Sequence, residues 1–319
     1  MRGLTLLAAI FLCFAGCSDD SGELRASDAT DDTTGDATDG SADAAEVIQV
    51  TAGGFHLCAL DDSSEVTCWG RDQDGQSTVP ADLGNVTQVD AGDDHTCALD
   101  DSGEVTCWGL NFYGQTDVPE GLGTITQVAT GGSHTCALDD SGNVTCWGWD
   151  LADQTTVPVD LGNVTQVTAG GSHACALDDL SEITCWGSDS HGQTTVPADL
   201  GTVTQVTAGD DHTCALDDAG DLTCWGEDDL GKSTVPKDLG TVTQVTAGDD
   251  HTCALNDAGD LTCWGEDYSG QSSVPSGLSA AIQIAAGRAT TCALDDAGDV
   301  TCWGVNGDGV PADLGSSTS

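Results

Sequence analysis

The sequence predicts an all-β fold, a seven-bladed β-propeller of 39-residue repeats with one hairpin disulfide per blade. Three observations predict it. Cys58, Cys97, Cys136, Cys175, Cys214, Cys253 and Cys292 step by 39 residues without a slip, and Cys68, Cys107, Cys146, Cys185, Cys224, Cys263 and Cys302 keep the same step. A Trp follows every cysteine of the second series, from Trp69 to Trp303. Within each repeat the apolar residues alternate with period two and never with the helical 3.6, as in Val86-Thr87-Gln88-Val89 and Glu104 to Trp108. This excludes helical repeats such as ankyrin. Radial closure of seven small sheets also explains why no polar capping repeat is visible.

Residues 1–16 read as a secretory signal. Met1-Arg2 gives a short positive start, and Leu6 to Phe14 is an apolar run too short to span a bilayer as a helix. Phe14-Ala15-Gly16-Cys17 resembles the bacterial lipobox, with Cys17 as the lipidated residue. Ser18, not Asp, follows that cysteine, which points to the outer membrane or cell surface. Residues 17–46 read as an acidic, disordered tether: ten acids stand against Arg25, with almost no large apolar side chain to bury. Residues 47–315 hold the seven repeats, and 316–319 form a tail. Each repeat divides into three or four short strands punctuated by Gly. The last repeat is three residues tighter between Val305 and Val310. The ring is expected to close there, with Val47 to Val50 pairing into the last blade.

The hairpin predicts the disulfides. Asp100-Asp101-Ser102-Gly103 suits a type I turn followed by a left-handed Gly. Asp100 then faces Glu104, Leu99 faces Val105, and Cys97 faces Cys107. The cysteines fall on a non-hydrogen-bonded pair, where the Cα separation is about 4.5 Å and a disulfide can form. Such a C-x9-C hairpin lacks the paired short spacings of zinc modules.

Charge excludes several function classes. Asp and Glu total 54 against 6 Lys and Arg, a net charge of −48. No basic stripe is available for nucleic acid, and anionic lipid would repel the surface. The expected partner is therefore a protein, with membrane contact only through the lipid anchor and the protein itself a monomer. Sixteen cysteines in an exported chain suggest disulfides.

Ala91 to Gln115, with Ala-Gly-x-x-His-Thr-Cys-Ala-Leu-Asp-Asp-x-Gly-x-Val-Thr-Cys-Trp-Gly and a following Gly-Gln, resembles the repeat of the regulator of chromosome condensation family. The resemblance runs from Val47 to about Gly315 and implies a seven-bladed propeller. WD40 repeats are less similar, since no Trp-Asp pair recurs. The cysteine pair and compact period resemble secreted bacterial members. The eukaryotic regulator is a nucleotide exchange factor that binds chromatin, activities at odds with this charge and export signal, and none of its catalytic residues is carried over. A bacterial propeller that inhibits β-lactamase is similar in build and binds its target through loops on one face.

Residues repeated in every blade are read as serving the fold. His56, His95, His134, His173, His212 and His251 share one position, with Thr290 at the seventh, and are read as turn histidines bonded to nearby backbone. The aspartate pairs are read as turn formers, and weak Ca²⁺ binding between them stays open. No cofactor or metal is expected. Functional residues are expected to break the symmetry. Phe112, Tyr113, Trp149, Leu151, His191 and Tyr268 lie in the segment after each Trp-Gly, and Phe55 lies in the Ala-Gly-x-x-His turn. Two strands separate that turn from that segment, so both emerge on one face of the disc. The expected function is non-catalytic protein binding through this face. The alternatives are a propeller hydrolase or lyase using His191 with Asp189, and a purely structural envelope protein.

Overall fold

The computed structural model describes residues 45–305, 307–312 and 314. The signal segment, Cys17 and its lipidation, the tether as far as residue 44, and the tail lie outside the described residues.

Seven three-stranded antiparallel sheets follow one another along the chain, at 47–70, 86–109, 125–148, 164–187, 203–226, 242–265 and 281–304. In blade 1 the inner strand is Val47–Ala52, the middle strand His56–Asp61 and the outer strand Val66–Gly70. Among the described residues each blade has three strands and no fourth. The connecting segment 71–85 stays irregular: Pro80 has no N–H for a ladder and Gly84 turns the chain at φ +73°.

The hairpins form in the expected register. Cys97 sits opposite Cys107 and Leu99 opposite Val105. The backbone N–H of Asp100 donates to Glu104 O at 3.0 Å, which leaves the cysteines on a non-hydrogen-bonded pair. All seven disulfides are formed, with Cα separations of 4.0–4.1 Å. They suit an oxidising, extracytoplasmic environment. Gly103 takes the left-handed turn position at φ +83°, and Asp100 Oδ1 accepts from the N–H groups of Ser102 and Glu104. In blades 1 and 4 that position is taken by Ser64 and Ser181, at φ 67° and 65°.

The core lies between blades. Cys58, Leu60 and Val66 of blade 1 pack on Val86, Val89, Ala98 and Trp108 of blade 2. The same set recurs at the next joint, where Cys97, Leu99 and Val105 meet Ile125, Val128, Ala137 and Trp147. No blade can bury its faces alone, so each is stable only between neighbours.

Inner strands of adjacent blades do not pair backbone to backbone. A glutamine amide bridges them. Gln49 Nε2 donates to Val89 O, and Gln49 Oε1 accepts from Val89 N–H, both at 3.0 Å. Gln88 grips Val128 the same way, Gln127 grips Val167, and the series continues through Gln166, Gln205 and Gln244. Gln283 Oε1 then accepts from Val50 N–H at 2.9 Å and closes the ring. Glycine lets the inner turns approach closely enough: a Cβ on Gly53 would collide with the carbonyl of Gly92.

The ring closes between blades 7 and 1, but not by strand exchange. Val47 to Val50 stay paired with the middle strand of their own blade. The free edge of Val50 is taken by the Gln283 amide, and Val47, Val50 and Trp69 pack on Cys292, Leu294 and Val300.

Two outer contacts reinforce most of the other joints. The repeated histidines do not bond nearby backbone as expected. Their Nε2 atoms meet a threonine hydroxyl of the next blade: His56 with Thr96 at 2.7 Å, His95 with Thr135 at 2.9 Å, His251 with Thr291 at 2.8 Å. His173 and His212 do the same with Thr213 and Thr252. The rings are wholly buried, and adjacent blades, not adjacent residues, are within reach. Each indole N–H reaches back instead, as Trp108 does to Gln76 O at 3.0 Å. At the seam neither contact is present among the described residues. Thr290 replaces the histidine, Leu57 replaces its threonine, and Trp69 Nε1 is buried without a partner.

His134 faces Ala174 where other blades supply threonine, and its Nε2 is buried without a partner. Restoring one hydrogen bond to a buried polar atom is worth about 1 kcal/mol. Ala174→Thr is therefore expected to raise Tm by roughly 2–4 °C in thermal melts. Thr135→Ala, which strands His95, is expected to lower it by at least as much.

Candidate functional site

The faces follow from the register. His56 pairs with Gly70 at one end of blade 1 and Leu60 with Val66 at the other. Each loop after an outer strand is pinned to the turn before the middle strand: Arg71 N–H donates to Phe55 O, Leu110 N–H to Asp94 O and Trp149 N–H to Ser133 O, at 2.8–2.9 Å. Turns and post-Trp-Gly loops therefore share one face, and the acidic hairpins lie on the other, as expected.

A central cavity of about 250 Å³ runs between the inner strands of all seven blades. On the loop face one turn position lines it in six blades, as Asp93, Asp210, Asp249, Arg288, Gly132 and Gly171, and is Gly54 in blade 1. Burial and mutual repulsion raise all three carboxyls. Burial, then Asp94, act on Asp93; burial, then Asp93 and Asp210, push Asp249 well up; Asp210 reaches about 6. Deeper in the wall, Asp90 is raised by burial although it accepts from Thr130 N–H and Oγ1 and from Thr51 Oγ1.

Three of the symmetry-breaking aromatics meet. The loop after blade 2 lies over blade 3, because Gln115 O accepts the indole N–H of Trp147 at 3.0 Å. That brings Tyr113 beside Trp149, with ring centroids 6.0 Å apart, and Phe112 packs edge-on against Tyr113 at 4.9 Å. Phe112 is 79% exposed and Tyr113 47%. Leu151, in the same loop as Trp149, is 84% exposed. Tyr268 is equally exposed in the loop after blade 6, and its ring has no aromatic neighbour among the described residues.

Phe55 and His191 lie elsewhere on this face. Phe55 sits at the seam between two guanidinium groups, Arg71 at 6.0 Å and Arg288 at 5.3 Å from its ring centroid. His191 does not pair with Asp189, whose carboxylate is bonded to Thr194 N–H and Thr195 Oγ1. Burial pushes Asp189 up, but its bonds to Thr194 and Thr195 together outweigh that and hold it below the usual carboxylate range. His191 instead has Nδ1 3.6 Å from Asp211 and Nε2 3.5 Å from Glu227.

The sequence reading missed Lys232. It occupies the column of buried glutamines that includes Gln76, Gln115 and Gln193. In blade 4 Gln193 donates to Asp211 at 2.7 Å; here the ammonium bonds both Glu227 and Asp250. Burial pulls the ammonium down, but those two carboxylates outweigh it and hold it above the usual lysine value. A lysine in a glutamine column was the visible signal. Among the described residues, no group of three or more His, Cys, Asp or Glu is arranged to hold a metal ion.

The regulator of chromosome condensation (RCC1) repeat model matches the chain seven times, at residues 47–76, 86–115, 125–154, 164–193, 203–232, 242–271 and 281–310. The chain belongs to the RCC1 repeat family. No curated protein matches it. Among solved structures, this RCC1-repeat chain is similar to the ectodomain of the receptor kinase CR4 from Physcomitrella patens, with 26% identity, TM-score 0.67, and coverage of 82% of this chain and 74% of that one. The ectodomain of the Arabidopsis thaliana receptor kinase ACR4 matches at 24% identity and TM-score 0.68, covering 82% and 98%. Prp20p from Saccharomyces cerevisiae matches at 22% and 0.65, covering 76% and 80%.

Acid should act on this RCC1-repeat propeller in two opposed ways. Burial lowers His95, His173 and His212 to about 3 and His56, His134 and His251 to about 4. The unfolded chain therefore takes up protons first, and stability falls as pH drops below about 6.5. The raised Asp93, Asp210 and Asp249 bind protons better when folded, so they add stability as pH falls, Asp210 through about 6. The variant D93N/D210N/D249N is expected to melt higher than the native protein near pH 7.5. It is also expected to lose stability more steeply between about pH 6.5 and 4.5, measured by melts across that range.

Proposed function

We propose that this propeller is a non-catalytic protein-binding module that engages its partner through the loop face. One observation carries the reading. The aromatic side chains that break the sevenfold pattern lie on one face, and Phe112, Tyr113 and Trp149 form a contiguous cluster there, beside the exposed Leu151. Exposed aromatic clusters of this kind are where binding energy concentrates. Family resemblance supports the class: Prp20p is described by its binding to Gsp1p and histones, and CR4 and ACR4 carry this fold in receptor ectodomains. The export signal and Cys17 support a location at the bacterial outer membrane or cell surface, held by lipid, with the tether as spacer. His191 and Lys232 join carboxylates of neighbouring blades and are read as interblade joints, not as a reaction centre.

The test is capture. The chain from residue 17 onward, carrying Cys17→Ser, is immobilised and exposed to envelope and culture-supernatant extracts beside F112A/Y113A/W149A. A partner retained by the native face and lost from the variant, with melts unchanged, is the expected result. Equal capture by both moves binding off this face and overturns the reading.

A further inference from the structure

We infer that the Tyr113–Trp149 platform takes the arginine side chains of a cationic polypeptide segment. The inference rests on the loop-face reading above and names the partner's chemistry.

Two observations lead to it. The first is the charge around the platform. The chain carries −48, and Asp150 and Asp153 flank Leu151 in the very loop that Trp149 begins. The cations of this face are already engaged: Arg71 with Asp94, Lys232 with Glu227 and Asp250, Arg288 with Asp249. An acidic partner would meet uncompensated repulsion, whereas a basic one gains on approach and in the complex.

The second is an internal example. Phe55, on the same face, already lies between two guanidinium groups, those of Arg71 and Arg288, each anchored by a carboxylate. An aromatic ring faced by arginine and flanked by aspartate is thus a contact this surface makes with itself. Tyr113 and Trp149 repeat the ring, with Asp150 and Asp153 in the loop of Trp149 (Asp150 accepting from Thr155 N–H and Thr156 Oγ1), but no guanidinium lies over them among the described residues. Tyrosine and tryptophan bind cations through the ring at least as well as phenylalanine, and a planar guanidinium stacks where an ammonium only makes a point contact.

The probe is a fluorescein-labelled ten-residue peptide of alternating Arg and Ser, titrated by anisotropy at about 0.15 M salt, where long-range attraction is screened. An alternating Lys and Ser peptide is the comparison. Y113A/W149A changes no charge, so it separates the platform from the general field. D218N/D257N/D296N removes three exposed carboxylates from the opposite hairpin face. The expected result is saturable binding of the arginine peptide, weakened at least tenfold by Y113A/W149A and less than twofold by the hairpin variant. The lysine peptide should bind several-fold more weakly. Unchanged binding in Y113A/W149A, an equal loss in the hairpin variant, or no binding at all overturns the inference. If peptide binding fails while aromatic-dependent capture of a protein persists, only this inference falls. If capture is also insensitive to the aromatics, the loop-face reading falls with it.

Discussion

The structure depends on a side-chain amide standing in for a strand. Neighbouring inner strands never pair, yet every inner N–H and C=O facing a joint must find a partner or be buried at a cost. At six joints one glutamine supplies both bonds to a single residue of the next blade, as Gln49 does to Val89, and at the seam Gln283 accepts the Val50 N–H. The glycine turn beside it brings the backbones close enough for direct contacts such as Arg288 N–H to Gly53 O. Because this rung recurs at each joint, the blades hold a fixed spacing round the central cavity, and the apolar layers between them meet in register.

The seam shows which contacts are essential to closure. Blades 7 and 1 lack the histidine–threonine contact and the indole contact that reinforce other joints, but they keep the glutamine rung. Both members of the histidine pair are replaced there, by Thr290 and Leu57, so neither is left stranded. His134, opposite Ala174, is the place where only one member changed, and there the Nε2 that meets a threonine in the other blades is left without a partner. The same logic separates fold from function. Columns that repeat are spent on joints, and apart from Ala174 the departures described above are matched by a neighbour, like Lys232 with Glu227 and Asp250, or exposed, like Phe112 and Tyr268.

Most of this was legible in the sequence. Unbroken cysteine spacing carried the blade count, and two-residue alternation carried the hairpin register and hence the disulfides and the two faces. Contacts between blades were not legible, because they join residues about forty apart and nothing within one repeat measures that distance. The glutamines of Val-Thr-Gln-Val were visible as an unvaried polar residue in a half-buried strand, and the threonine following most histidines was visible too. Neither states its partner without the ring. The meeting of Tyr113 with Trp149 was hidden likewise, since it depends on a loop of one blade lying over the next. The pairing expected for Val47 to Val50 failed because a side chain, not a strand, fills that edge.

The most direct test compares the same substitution at the seam and away from it. Gln283→Leu and Gln166→Leu each remove one rung of similar shape, with thermal melts and amide exchange as readouts; the Gln166 joint keeps both the His173–Thr213 and the Trp225 indole contacts. If the rung is what closes the ring, Gln283→Leu lowers Tm markedly more than Gln166→Leu and speeds exchange at Val50 and Gly53, because neither the histidine nor the indole contact backs it up. Equal losses, or an unprotected seam in the native protein, would contradict the account.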